Sequence, residues 1–112
     1  MAKSSMHGPF PLIHSEIDNA IDRTAPGTYV LGRTAGRKFR VGFVGRSDSD
    51  IKTNLHKHVG AYEQFVYGYH VSAKAAFDQE CLFYHDFHPP GNKSHPSRSA
   101  LMVWSCPRCY ET

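Results

Sequence analysis

The sequence predicts an α/β fold of the α+β type, with a small three-stranded antiparallel sheet flanked by helices. Two observations predict it: runs of β-branched and aromatic residues end at glycine-containing turns, and amphipathic segments at helical spacing separate them. The 112 residues suffice for a single small domain with a thin core. With 40% apolar and 12% aromatic residues, the composition excludes a wholly disordered chain.

Helical periodicity recurs in three segments. Ile13, Ile17 and Ile21 repeat at helical spacing, and Pro26-Gly27 ends that pattern. The polar run at 47–50 and, further on, Ser72 supply capping side chains for two later helices. The helices are predicted over about residues 13–23, 51–59 and 73–86.

Strand-forming runs lie between these helices. The first two are separated by Gly36-Arg37, which predicts an antiparallel hairpin. The strands are predicted over about residues 28–31, 39–44 and 65–71. Residues 1–11 are small, polar and proline-containing, and we expect a flexible lead before a domain over 12–98. Residues 99–112 form a tail with a Cys-x-x-Cys pair that we expect to dock on this domain.

Positive charge is concentrated in one part of the chain. The net charge is only +3, yet residues 33–58 hold seven of the thirteen lysines and arginines. A basic block beside aromatic strands indicates a polyanionic partner, although a solvated basic face has the same composition. Candidate nucleic-acid contacts are Arg33, Arg40, Arg46, Lys52, His56 and Lys57.

One carboxylate interrupts the apolar stripe of the longest predicted helix. Glu80 falls on the face that carries Ala76, Phe77 and Phe83. Burial of a lone carboxylate is costly, so this side chain requires a metal ion, a cation or hydrogen-bond donors. A basic residue pairing with Glu80 explains the position as well as a metal does.

An ordered set of motifs resembles the GIY-YIG nuclease family over about residues 27–96. Gly27-Thr28-Tyr29 and Phe43-Val44-Gly45 resemble the two halves of the naming motif. The resemblance continues through Arg46-Ser47-Asp48 to a helix with His58, then to Glu80 and to Asn92. Each triplet is weak evidence by itself, whereas the ordered set is more specific.

The resemblance implies a compact domain that hydrolyses DNA phosphodiesters with Mg²⁺ or Mn²⁺. Glu80 would bind the metal, Tyr29 would help to activate water, and His58 would accept a proton. Arg46 would bind phosphate and Asn92 would hold the architecture. A metal neutralises the charge that develops on phosphoryl oxygens, which is why such a site needs a carboxylate.

Two positions depart from the family pattern. Phe43 stands where the motif has its second tyrosine, and Asn54 stands where the family has an arginine on the first helix after the motif. Asparagine cannot clamp a phosphate as arginine does, so Arg46 or Lys52 would have to take the place of that arginine. The alternative function is therefore a catalytically impaired nuclease-like fold that binds nucleic acid or protein. Sequence specificity would come from a homodimer, a partner protein or the loop over 88–98.

The cysteines indicate a second, structural metal. Cys106 and Cys109 have the spacing of half a tetrahedral zinc site, and Cys81 and His85 lie one helical turn apart. Together they would form a zinc site that clips the tail to the domain, with His88 and His95 as rival ligands. Unmetallated thiols or a Cys106–Cys109 disulfide are the alternatives.

Membrane insertion is not expected from this sequence. No apolar run approaches the roughly 20 residues of a membrane span, and the start of the chain lacks the apolar stretch of a signal peptide. We therefore expect a cytoplasmic protein.

Overall fold

The computed structural model of the protein describes residues 6–92, and within them four strands and three helices follow one another. In chain order they are β1 (His7–Pro11), α1 (His14–Ala20), β2 (Gly27–Ala35), β3 (Lys38–Ser47), α2 (Ile51–His56), β4 (Gln64–Tyr69) and α3 (Ala73–Phe87).

The strands form one antiparallel sheet in the order β1-β4-β2-β3. The predicted hairpin is present: β2 and β3 pair from Gly27↔Ser47 to Ala35↔Lys38, around a turn in which Gly36 has φ +65°. A positive φ costs glycine nothing, so this turn is compatible with its sequence. The α+β class and the antiparallel pairing are thus confirmed.

The predicted number of strands is wrong, because β1 adds a fourth. It lies in the segment for which a flexible lead was expected, and it pairs with β4 through Phe10↔Phe65 and Pro11↔Gln64. Proline has no backbone N–H and cannot donate a hydrogen bond to a neighbouring strand. A strand at the sheet edge tolerates proline, because one side of that strand has no neighbour to which it must donate. The Phe10 ring packs 5.5 Å from the Phe65 ring, which joins β1 to the core.

The two faces of the sheet carry different helices. Tyr29 and Leu31 of β2 pack into a buried cluster with residues of α1 and α2, among them Ile17 and Leu55. Thr28 of β2 is also fully buried, and its hydroxyl donates to the backbone oxygen of Ala76 in α3 at 3.0 Å. Because successive side chains of a strand point to opposite faces, α3 covers the face opposite to α1 and α2.

Helix caps fix where α2 and α3 begin. The Asp50 carboxylate accepts from the backbone N–H of Lys52, and the Ser72 hydroxyl accepts from that of Ala75. Helix α2 ends at His56, which is earlier than predicted, so His58 lies in the turn after it. In the part of the chain that the structure describes, no helix has the length and apolar character required to cross a bilayer.

Candidate active site

Tyr29 reaches the exposed edge of the sheet by crossing the neighbouring strand at a glycine. A Cβ atom at Gly45 of β3 would lie only 2.6 Å from the Cζ and hydroxyl oxygen of Tyr29. Because residue 45 has no side chain, the tyrosine ring fits over the backbone of β3. Its hydroxyl then lies 3.1 Å from Nε2 of His58, in the turn after α2.

Burial shifts the titration of both groups in this pair. Burial raises the pKa of Tyr29 to about 12; a hydrogen bond from Asn54 acts in the opposite direction, and the negative charge of Glu80 adds to the rise. Burial, with a smaller contribution from the Lys57 charge, lowers the pKa of His58 below its usual 6.5. The pair therefore rests as a protonated phenol beside a neutral imidazole, which is a proton donor facing an acceptor.

Glu80 is buried and bonded to an arginine on the neighbouring strand. Its Oε1 accepts from Nη1 of Arg46 at 2.7 Å, and Nε of Arg46 donates to Asp48 at the same distance. The side chains of Arg46 and Glu80 are only 11% and 10% exposed, whereas that of Asp48 is 38% exposed. Of the partners that a buried carboxylate requires, a cation is therefore present: the guanidinium of Arg46 pairs with Glu80.

A polar pocket of about 340 Å³ surrounds the Arg46–Glu80 pair and extends to Asn54 of α2. It is lined by Arg46, Ser47, Asp48, Asn54 and Glu80. Asn54 lowers the pKa of Tyr29 and Glu80 raises it, so the pocket lies next to the Tyr29–His58 pair. The structure therefore brings together Tyr29, His58, Glu80 and Arg46.

Asn92 lies beside this site, and its side chain hydrogen-bonds the backbone of β3. Its side chain accepts from the N–H of Val44 and donates to the oxygen of Val44, each at 2.8 Å. The backbone N–H of Gly91 likewise donates to Gly42 at 2.7 Å. These bonds hold the segment after α3 against the outer edge of β3; the architectural role of Asn92 stays a prediction.

The other predicted nucleic-acid contacts fall outside the pocket. Lys52 and His56 both contact the Asp18 carboxylate of α1, at 3.7 and 2.9 Å, and His56 also bonds His14. Lys57 is exposed in the turn after α2. Arg33 and Arg40 are exposed and lie opposite each other on the β2–β3 hairpin.

The donor set fits a weakly coordinated divalent cation and not a closed metal cage. Within residues 6–92 no group of three or more His, Cys, Asp or Glu side chains lies close enough to hold a metal ion. Mg²⁺ is commonly bound by one or two carboxylates, water and substrate phosphates, so Glu80 in a polar pocket is compatible with it.

Only two of the four proposed zinc ligands, Cys81 and His85, lie within the described residues. Cys81 is fully buried on α3, and His85 follows one turn later and is partly buried. Cys106, Cys109 and the tail over 99–112 lie outside the described residues. The four-ligand zinc site therefore stays a prediction.

Two residues of the pocket were not assigned a site role from the sequence. Ser47 accepts from the backbone N–H groups of Ser49 and Asp50, which shapes the turn at the pocket wall. Asp48 fixes Arg46. Both residues belong to the polar run that is predicted to cap α2. No sequence signal distinguishes a capping residue from one that also lines the pocket.

Comparisons of the chain with protein-family models, with curated proteins and with solved structures find no match. The resemblance to GIY-YIG nucleases thus depends on the order of the motif residues in the sequence.

Proposed function

We propose that this protein is a metal-dependent DNA endonuclease of the GIY-YIG type, which hydrolyses phosphodiester bonds. The observation that carries the proposal is the 3.1 Å contact between the Tyr29 hydroxyl and His58, beside a polar pocket that contains Glu80. Tyr29, His58 and Glu80 supply the phenol, the imidazole and the carboxylate that a reaction of this type uses. A cytoplasmic location accompanies this proposal.

Proton transfer follows from the resting state of the Tyr29–His58 pair. As a water molecule attacks phosphorus, the Tyr29 oxygen takes its proton and passes its own to neutral His58. The bond from phosphorus to the leaving oxygen breaks, and that oxygen takes a proton from solvent. Positioned acid–base groups of this kind contribute about 10² to 10⁴ in rate. The high pKa of Tyr29 makes a free tyrosinate rare, so the simultaneous transfer to His58 matters.

Glu80 is the residue that would hold Mg²⁺ or Mn²⁺. A divalent cation there supplies charge neutralisation at the phosphoryl oxygens and at the leaving oxygen. Glu80 is shared with Arg46 in the resting pocket, so cation binding competes with this ion pair. Arg46 would keep Asp48 as a partner if Glu80 held a cation.

Arg46 is the candidate to replace the arginine that the family pattern places at position 54. It lines the same pocket as Asn54, and its guanidinium is positioned by a short contact to Asp48. Lys52, the other candidate by sequence, contacts Asp18 of α1 and does not line the pocket. A guanidinium suits a phosphate because it forms two parallel hydrogen bonds.

A nucleic-acid or protein-binding module without catalysis is the second candidate function. The observation that favours it is the mutual neutralisation of Arg46 and Glu80, in a pocket whose remaining wall includes the uncharged Asn54. If Arg46 does not release Glu80, neither group reaches a phosphate or a cation. The protein would then use only its basic surface.

Cleavage assays separate the two functions. Supercoiled plasmid, branched DNA and single-stranded DNA are incubated with the wild type, with Glu80→Gln and with Asp78→Asn, in Mg²⁺, Mn²⁺ or EDTA. Asp78 is the matched control, since it lies on the same helix and pairs with Lys74. Metal-dependent cutting by the wild type and the control, with none by Glu80→Gln, supports the nuclease. Salt-sensitive binding by all three without cutting supports the binding module.

A further inference from the structure

A second cavity of about 390 Å³ lies at the far end of the β2–β3 hairpin. We call it the hairpin cleft. Its walls are mostly apolar and include Gly32, Gly42 and Tyr62, with Arg33, Arg40 and Glu63 also lining it. Its volume lies within the range of sites that hold small organic molecules, about 300–1,000 Å³.

The hairpin cleft opens on the same face of the sheet as Tyr29. Tyr29, Leu31 and Arg33 alternate along β2, so their side chains share one face. The bulge at this point inserts its extra residue in β3, because Leu31 and Gly32 face Phe43 and Val41. The alternation along β2 is therefore intact.

Two arginines of like charge face each other at this cleft. Arg33 and Arg40 are direct partners in the antiparallel register, and both are exposed. Like charges in this arrangement repel each other and destabilise the strand pair. None of the ion pairs within residues 6–92 includes either of them. An anion between the two guanidinium groups would remove the repulsion.

A row of rings connects the hairpin cleft to the candidate active site. The Tyr62 ring lies 6.4 Å from the Phe43 ring, and Phe43 lies 6.4 Å from Tyr29 and 5.2 Å from His58. The distance between the Tyr62 and Tyr29 rings is therefore at most the sum of these two 6.4 Å separations. This is about four rises of 3.4 Å along one strand of duplex DNA, so a single bound strand spans both places.

We propose that the hairpin cleft accepts an unpaired nucleobase, while Arg33 and Arg40 hold the adjoining phosphates. The inference rests on the proposed function and deepens it: the preferred substrate is DNA with a single-stranded segment next to the cut. Tyr62 offers an aromatic face, and every base stacks on such a face. Gly42 leaves room for this ring, since a Cβ there would lie 2.5 Å from Tyr62 Cε1. A base in the cleft is not available for pairing, which excludes intact duplex from this position.

Binding is measured by fluorescence anisotropy with a labelled single-stranded oligonucleotide and with its duplex, in EDTA so that no cutting occurs. The test variant is Arg33→Gln with Arg40→Gln. Its matched control is Arg37→Gln with Lys38→Gln, which removes the same charge from exposed positions of the same hairpin. We expect the test variant to bind the single strand about tenfold more weakly than the control does. Equal affinities for the two double variants would overturn the inference.

Tyr62 provides an independent measurement. Tyr62→Leu is expected to weaken single-strand binding about tenfold and duplex binding much less, whereas Tyr62→Phe keeps the ring and the affinity. Thermal melting checks that each variant is folded. An equal loss for both DNA forms, or no loss, would contradict base stacking in the cleft.

The outcomes separate this inference from the proposed function. If the variants show these binding losses but the wild type cuts no DNA, the inference about the cleft is supported and the proposed nuclease function is refuted. If the wild type cuts DNA but the arginine and control variants bind single-stranded DNA equally well, the nuclease function is supported and the inference about the cleft is refuted.

Discussion

Substitution of Arg46 and substitution of Glu80, the two residues of the buried ion pair, should lower the free energy of unfolding by different amounts. Arg46→Met leaves the Glu80 carboxylate, which is 10% exposed, without its arginine. Breaking a buried pair in this way costs about 3–5 kcal/mol, and we expect about 3 here. Glu80→Gln leaves Arg46 bonded to Asp48 and keeps a neutral acceptor in place, so we expect about 1 kcal/mol.

Urea unfolding at equilibrium measures this difference. With a slope of about 1–3 kcal/mol per molar urea, Arg46→Met lowers the midpoint by about 1–3 M and Glu80→Gln by about 0.3–1 M. Lys74→Met is the control, because Lys74 is exposed and pairs with the partly exposed Asp78 four positions along α3, and a pair of this kind contributes about 0.5 kcal/mol or less.

Equal losses for Arg46→Met and Glu80→Gln would refute this reasoning. A larger loss for Glu80→Gln would do so as well. Either result would mean that Arg46 is not the main group that stabilises the buried carboxylate, and the competition between Arg46 and a cation would lose its basis.

Three further predictions concern the surroundings of this pair. Gly45→Ala places a Cβ 2.6 Å from the Tyr29 ring, and we expect a loss of about 1–3 kcal/mol in chemical denaturation and a strong loss of cleavage. The acid limb of kcat/KM should lie below pH 6.5, because activity needs neutral His58 and burial lowers its pKa; a limb above pH 6.5, or one unchanged in His58→Gln, would contradict this assignment. Asn92→Ala removes two hydrogen bonds to Val44 and should cost about 1–3 kcal/mol by urea unfolding, whereas an unchanged midpoint would deny it an architectural contribution.

Local signals predicted most of the secondary structure, and they failed where pairing is non-local. The β2–β3 hairpin was predictable because its turn and both strands are adjacent in sequence. Strand β1 was missed because its sequence, HGPFP, contains two prolines and its partner β4 lies more than 50 residues away. Only that partner makes this segment a strand, and no periodicity in five residues indicates it.

The candidate site was predictable as a set of residues but not as a network. The apolar stripe around Glu80 marked it as a buried carboxylate that needs a partner, and the motif order selected Tyr29 and His58. The partner itself, Arg46, lies 34 positions away from Glu80 on another element. The side chains of Lys52 and His56 were expected to face nucleic acid, yet both contact Asp18 of α1, because α1 packs on α2. Such contacts depend on how helices dock, which a single sequence does not encode locally.

The proposed proton transfer through Tyr29 is tested most directly by the single-turnover rate of DNA cleavage by Tyr29→Phe. The matched control is Tyr67→Phe, which also removes a hydroxyl from a buried tyrosine of the sheet, one that donates to the oxygen of Ala20. We expect Tyr67→Phe to cut at nearly the wild-type rate and Tyr29→Phe to cut about 10² to 10⁴ times more slowly. Cleavage by Tyr29→Phe at the rate of the control, or no metal-dependent cleavage by the wild type on any DNA, would contradict this proposal.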